Sequence, residues 1–225
     1  MLGERSSGTN FITRLLGKNS DLRSSDELGW KHGFPSDQHI APDLAVICAV
    51  RRADNWALSM HAKPWHSTPA LQMMTFEDFI RAPWDTIIDH PKYFTKVMHH
   101  PIVGQPLVPD RDPQTGRRLP NLFALRRAKL EGMLSYMQRD CFFILMCMET
   151  AQKAPEATLD ALLYTMRLPH RAGRLRAVHK RLGSKFNAAV QERPPTPEKL
   201  GAEDMQFLRS HVDLKREAQL GYHYD

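Results

Sequence analysis

Eight residues near the start of the chain, Gly3-Glu4-Arg5-Ser6-Ser7-Gly8-Thr9-Asn10, have the types and spacing to hold a phosphate. Gly3 and Gly8 show the G-x-x-x-x-G spacing of a phosphate-binding loop, and Asn10 to Leu16 reads as the helix that follows it. Backbone N–H groups at such a turn into a helix converge on an anion. An ATPase or GTPase loop continues Gly-Lys-Ser/Thr, with the lysine on the β- and γ-phosphates and the hydroxyl on magnesium. Thr9 and Asn10 stand in those places here. The anion cradle is kept and the magnesium chemistry is not, which implies an anionic nucleotide handled without the metal.

A second candidate follows the most apolar run of the chain: Arg51-Arg52-Ala53-Asp54-Asn55-Trp56-Ala57-Leu58-Ser59. An arginine at the carboxyl end of a parallel strand, with a serine eight residues on along the next helix, can grip one phosphate. The same spacing also suits a surface arginine and an unrelated helix serine. Between the two sites, His32 is a candidate general base, because an imidazole titrates near neutrality. Lys31 is placed to stabilise a leaving phosphate, and Arg5 to supply charge at the loop; each also suits an ordinary surface role. Glu4 is a reserve base, and Glu149, closing a buried run, reads as structural. His61, His66, His99 and His100 lack the spacing of a zinc site, so no metal is expected. Trp56, Trp65 and Trp84 read as packing residues, one of which could stack on a base or wall an acceptor pocket.

Strands and helices must position these groups. Leu44 to Val50 is a continuous apolar run, as expected of a parallel strand covered on both faces. Cys141 to Met148 is a second such run, and Gly29 to Pro35 reads as a short strand entering a turn. Helices are expected over Asp54–His61 with Asp54 or Asn55 as N-cap, Thr75–Ile80 capped by Thr75, Asn121–Arg139, Pro155–Met166 and Ala202–Gly221. In Asn121–Arg139 the apolar stripe is Leu122, Leu125, Ala128, Leu130, Met133, Leu134 and Met137. Prolines at 64, 69, 83, 91, 101, 106, 109, 113 and 120 break up residues 63–120. That region is expected to be a substrate-site or lid elaboration within one domain spanning residues 1–225. Alternating strands and helices imply an α/β three-layer sandwich with a central parallel sheet. Only Met1 and Leu2 precede the loop, so its supporting strand is expected to be truncated.

Taken together, four segments resemble the sulfotransferases that use 3′-phosphoadenosine 5′-phosphosulfate (PAPS). Ser7-Gly8-Thr9 matches the core of the family's P-K/R-S-G-T-T loop, and Arg51 to Ser59 the spacing of R-N-P-x-D-x-x-x-S. Lys31-His32-Gly33-Phe34-Pro35 resembles K-x-H-x-P, and Glu217 to Tyr222 the closing E-x-x-L-G-Y. The resemblance implies a P-loop NTPase-like fold and metal-independent sulfuryl transfer to a hydroxyl or amine of a small-molecule or glycan acceptor. It also implies that Ser6, Ser7, Gly8, Thr9 and Asn10 hold the 5′-phosphosulfate, and Arg51 and Ser59 the 3′-phosphate. His32, Lys31 and Arg5 would act in catalysis. Departures are Ser6 where the family has Lys or Arg, Asn10 for the second threonine, Ala53 for the proline and Asn55 for the usual Asp. The family's glycine-rich basic closing loop has only Arg174 to Lys185, with Gly183-Ser184-Lys185, as its counterpart.

Composition bounds the alternatives. Hydrophobic residues at 42% and charged residues at 25% mark a globular chain, not a disordered one. No apolar run reaches the roughly 18 residues of a membrane span, and no secretory signal pattern opens the chain. A cytoplasmic location is therefore expected, with Cys48, Cys141 and Cys147 as reduced thiols. The net charge of +6 suits an anionic partner. No nucleic acid is expected under the leading reading. A degenerate nucleotide kinase, or a basic nucleotide- or nucleic-acid-binding module without chemistry, remains the alternative.

Overall fold

The computed structural model describes residues 1–95, 98–171, 173–179 and 186–225. Its centre is a small open sheet of three parallel strands in the order β1 (Leu2–Gly3), β2 (Ala45–Val50) and β3 (Phe142–Cys147). Leu2 is in register with Cys48 and Gly3 with Ala49, while Ala45 to Val50 pair one-to-one with Phe142 to Cys147. The loop thus follows a strand of two residues that is hydrogen-bonded to the central one.

Alternate residues of β2 feed two apolar clusters, which is why the whole run is hydrophobic. Val46, Cys48 and Val50 pack with Trp56 and Met60 of α2 (Ala53–Ala62), Phe76 and Phe79 of α4 (Phe76–Arg81), and Leu122, Phe123 and Met133 of α5 (Leu122–Ser135). Ile47 and Ala49 pack with Ile12 and Leu16 of α1 (Thr9–Asn19) and Leu159, Leu162 and Leu163 of α7 (Pro155–Thr165). The short α3 (Pro69–Gln72), α6 (Met148–Lys153), α8 (Ala202–His211) and α9 (Leu214–Gln219) complete the helices of the described residues. None of them is long and apolar enough to cross a membrane.

Several expectations are met in detail. Thr75 caps α4 by accepting from the Asp78 N–H, as expected; the helix expected from Asn121 forms as α5, with the Asn121 side chain accepting from the Ala124 N–H. The described residues of 63–120 hold only short helices and the isolated bridges Ser67–Thr86 and Ile87–Pro106, as their prolines dictate.

Four expectations need correction. Residues 29–35 form no strand but two turns, closed by Gly29 N–H donating to Asp26 O (2.9 Å) and Gly33 N–H to Trp30 O (2.7 Å). A single backbone bond, Gly3 N–H to Lys31 O (2.9 Å), joins this segment to the edge of β1. Next, β3 is only partly buried because it is the edge of the sheet; its Phe142 is exposed. The helix at 202–221 breaks at Val212, which is extended, and restarts where Asp213 accepts from the Arg216 N–H. Finally, neither Asp54 nor Asn55 caps α2. At the cap itself Arg52 N–H donates to Glu149 Oε1 (3.0 Å) and Ala53 N–H to the Tyr224 hydroxyl (2.9 Å), while Asp54 Oδ1 accepts only from the adjacent Asn55 N–H (2.7 Å).

The end of α5 gives a direct check of packing. The helix tightens into a 3₁₀ turn at Tyr136–Gln138, which rotates Met137 out to 67% exposure, off the stripe assigned to it. Phe123→Ala should cost about 3–5 kcal/mol and Met137→Ala no more than about 0.5 kcal/mol. Urea unfolding of both variants measures this, and equal losses would refute the turn.

Candidate functional site

The loop is shaped by close packing at its two glycines. A Cβ on Gly3 would lie 2.7 Å from both Ala49 O and Thr9 Cγ2, so no other residue lets β1, β2 and α1 meet this tightly. Ser6 (φ 62) and Gly8 (φ 89) then turn the backbone through the left-handed region, and a Cβ on Gly8 would overlap the Met148 sulfur. The turn is pinned from inside by Ser7, whose hydroxyl (2.7 Å) and N–H (3.3 Å) both donate to Glu4 O. Gly8 is the N-cap of α1, no side chain caps the helix, and its first turn carries no acid. Among the described residues, the N–H groups of Gly8, Thr9 and Asn10 have no partner. Together with the helix dipole they form a site for negative charge.

The groups expected from the second and third segments converge here. Arg51, just beyond β2, donates from Nη1 to the Ser59 hydroxyl (2.7 Å) and to Ser6 O of the loop (3.3 Å). Because Ser59 Oγ accepts from the guanidinium, its own proton is left to donate to a ligand oxygen. Lys31 Nζ donates to Asn10 Oδ1 (2.6 Å), which places an ammonium at the mouth of α1. Burial draws the Lys31 pKa down, against the pull of Asp26.

His32 lies beside them, Nδ1 2.7 Å from Gly3 O and its ring edge-on to Trp30 (5.4 Å). A carbonyl can only accept, so Nδ1 carries the proton and Nε2 presents the lone pair. Burial first, then the Lys31 charge, holds the imidazole pKa well below its ordinary value. The ring is therefore neutral near pH 7 and in the tautomer a base needs.

Other expected contacts point elsewhere. The Arg5 guanidinium is buried, paired with Asp110 (2.5 Å) and flanked by the rings of Trp30 and Trp84. It supplies no charge to the cradle. The Ser7 hydroxyl is likewise turned inward and committed to Glu4 O. Glu4 is held under the loop by Arg126 and does not face the site. Trp56 and Trp84 are buried and donate to Arg5 O (2.8 Å) and Asp110 Oδ2 (2.7 Å), so they fasten the loop and do not stack on a base. Glu149 is structural, accepting from Arg52 N–H and from the Tyr222 hydroxyl (2.8 Å). The described residues contain no group of three His, Cys, Asp or Glu that could hold a metal. Gly183, Ser184 and Lys185 lie outside the described residues.

Sequence reasoning missed the ionic layer beneath the loop. Arg126 is fully buried between Glu4 and Glu217, with Nε 2.9 Å from Glu217 Oε1. Lys129 reaches Asp110 Oδ1 (3.3 Å) and donates to His32 O (2.7 Å). The signal was present: Arg126 and Lys129 fall between Leu122 and Met133 at helical spacing, so they lie on the buried face of α5. Burial opposes every charge in this layer, and the partners decide each outcome. Arg5 and Lys129 hold the Asp110 carboxyl down to about 2. Lys129 itself falls to about 8, Asp110 only partly offsetting burial.

Compared with known proteins, the chain matches no family model, no curated protein and no solved structure.

Asp110 sets a pH limb. Its folded pKa lies below the unfolded value of 3.8, so its contribution is complete above 3.8 and is lost as pH falls toward 2. Asp110→Asn, which leaves Arg5 and Lys129 facing no carboxylate there, should cost about 3–5 kcal/mol at neutral pH. It should also flatten the fall of Tm between pH 4 and pH 2 relative to the parent, since both limits follow from the same carboxyl. Parallel melting curves over that range would show that Asp110 is not the titrating group.

Proposed function

We propose that the chain is a PAPS-dependent sulfotransferase with a P-loop NTPase-like fold. The observation that carries the reading is the Arg51–Ser59 pair seated against the loop at Ser6 O. Two anion-binding elements separated by forty residues of chain meet at one place, as a nucleotide with phosphates at both ends of its ribose requires. In this reading the N–H groups of Gly8, Thr9 and Asn10 hold the 5′-phosphosulfate, with Lys31 beside it. Arg51 and Ser59 hold the 3′-phosphate.

The co-substrate supplies a sulfuryl group on a phosphate leaving group. The acceptor oxygen forms a bond to sulfur as the bond from sulfur to the phosphate oxygen breaks. His32 Nε2 takes the acceptor proton, and the Lys31 ammonium stabilises the charge left on the phosphate. A sulfuryl group carries less charge than a γ-phosphoryl, so hydrogen-bond donors and one ammonium are sufficient without magnesium. The acceptor is a small-molecule or glycan hydroxyl or amine, presented from the 63–120 side.

Binding is tested first. A thermal-shift titration with 3′,5′-adenosine bisphosphate should raise Tm without magnesium, and Arg51→Ala or Ser59→Ala should weaken the effect at least about tenfold in concentration, the loss of one charge-assisted contact. Stabilisation by magnesium–ATP alone would move the chain to the kinase reading. No stabilisation by either would sink both.

Catalysis is tested by pH. With the imidazole pKa depressed, transfer to a screened acceptor should stay level through neutrality and decline only well below 6.5, the ordinary imidazole value. His32→Ala should lower the rate by about 10²- to 10⁴-fold while leaving the bisphosphate shift intact. A rate unchanged in this variant would assign the proton to another group.

A further inference from the structure

Beneath the loop lies a cavity of about 10 Å³ lined by Leu2, Gly3, Glu4, Lys129, Met133 and Tyr136, among others. Glu4 and Tyr136, which both line it, are buried, and each has a polar atom with no protein partner: Glu4 Oε1 and the Tyr136 hydroxyl. Buried polar atoms are almost always hydrogen-bonded, and two orphaned ones on residues that line the same small cavity mark an internal water. The volume suits one such molecule.

The charges around Glu4 do not balance when it is ionised. Arg126 from α5 faces two carboxylates, Glu4 and Glu217 of α9, and the nearby Lys129 is already engaged with Asp110. One cation between two buried carboxylates favours a proton on one of them. The choice falls on Glu4. Glu217 takes two bonds from Arg126 and a third from the Tyr224 hydroxyl (2.9 Å), whereas Glu4 has one oxygen bare.

We propose that this cavity is a hydrated proton site, a water joining Glu4 to Tyr136, and that loss of its proton weakens anion binding in the loop above. A carboxylate formed directly behind the cradle repels the anion that the N–H groups attract. The protonated carboxyl does not. Burial, outweighing Arg126, pushes the Glu4 pKa up to about 7, which puts the transition in the neutral range. This regulation rests on the phosphate-binding reading of the loop, and by linkage a bound anion should in turn draw a proton onto Glu4.

The test compares the parent with Glu4→Gln by calorimetric titration of 3′,5′-adenosine bisphosphate on both sides of pH 7. Titration of the ligand's own phosphates cancels in the ratio of the two Kd values. That ratio, parent over variant, should rise about fivefold or more with pH, and a constant ratio overturns the proposal.

If neither protein binds the bisphosphate, the cofactor reading fails, and the proton site is judged without ligand. The folded pKa of Glu4 lies above its unfolded 4.5, so parent Tm should fall as pH rises toward and through 7, while Glu4→Gln lacks that fall. Curves that stay parallel overturn the proton site. Should Glu4→Gln fail to fold, Tyr136→Phe takes its place. Without the far partner of the water, ionised Glu4 loses a donor and the midpoint should move to higher pH. An unmoved midpoint overturns the bridging water.

Discussion

The site depends on one buried cation. Arg126 sits on α5 with no exposure, clasped by Glu4 on one side and Glu217 on the other. Glu4 belongs to the first turn after β1, and its carbonyl receives both bonds from Ser7 that hold the loop's curve. Glu217 belongs to α9 near the other end of the chain. Arg126 therefore fixes the loop to a helix and to the carboxyl-terminal segment at once. Deleting one member of such a buried cluster leaves charge without a partner, which costs about 3–5 kcal/mol, a large fraction of a domain's stability.

From that cation the constraint passes outward through the end of the chain. The Tyr224 hydroxyl donates to Glu217 and accepts from Ala53 N–H at the start of α2. The Tyr222 hydroxyl donates to Glu149, which accepts from Arg52 N–H. Arg51 is the next residue back. The segment Glu217 to Tyr224 thus buttresses the strand-to-helix turn that aims Arg51 at Ser59 and Ser6. The loop and the arginine are placed by one connected network rather than by two independent folds, and such preorganisation is what anion sites require.

Much of this was legible in the sequence, and the reasons for the gaps are physical. β2 was readable because a strand covered on both faces must be apolar throughout, and the cap at Thr75 because it is local. The Arg51–Ser59 contact was readable because a helix of fixed pitch sets that spacing. What failed was non-local. Arg5 looked available for a ligand because its partner Asp110 lies far along the chain, in a proline-rich stretch with no periodicity to place it. Residues 29–35 looked like a strand from their aromatic and apolar content. A strand needs a ladder, and here β1 offers them a single backbone bond. The break at Val212 and the swing of Met137 likewise follow from packing of the helix ends, which pattern alone does not carry.

The cations at the cradle come from outside it, and that has a consequence for how the site works. A kinase-type loop carries its lysine at the helix start, so its charge is covalently in place once the turn forms. Here the loop's own arginine is committed to Asp110, while Lys31, delivered by a turn, reaches Asn10 of α1 and Arg51, delivered by the end of β2, reaches the loop. Each is held by one hydrogen bond to the α1 region or the loop, through Asn10 Oδ1 and Ser6 O respectively. In the proposed reading, anion affinity is then a property of the packing of three segments, and not of the loop motif alone. A change that loosens Arg126 or Tyr224 moves the charges relative to the N–H groups before it unfolds the chain. Weakened phosphate binding, with stability still measurable, is the expected first sign of damage to the ionic layer.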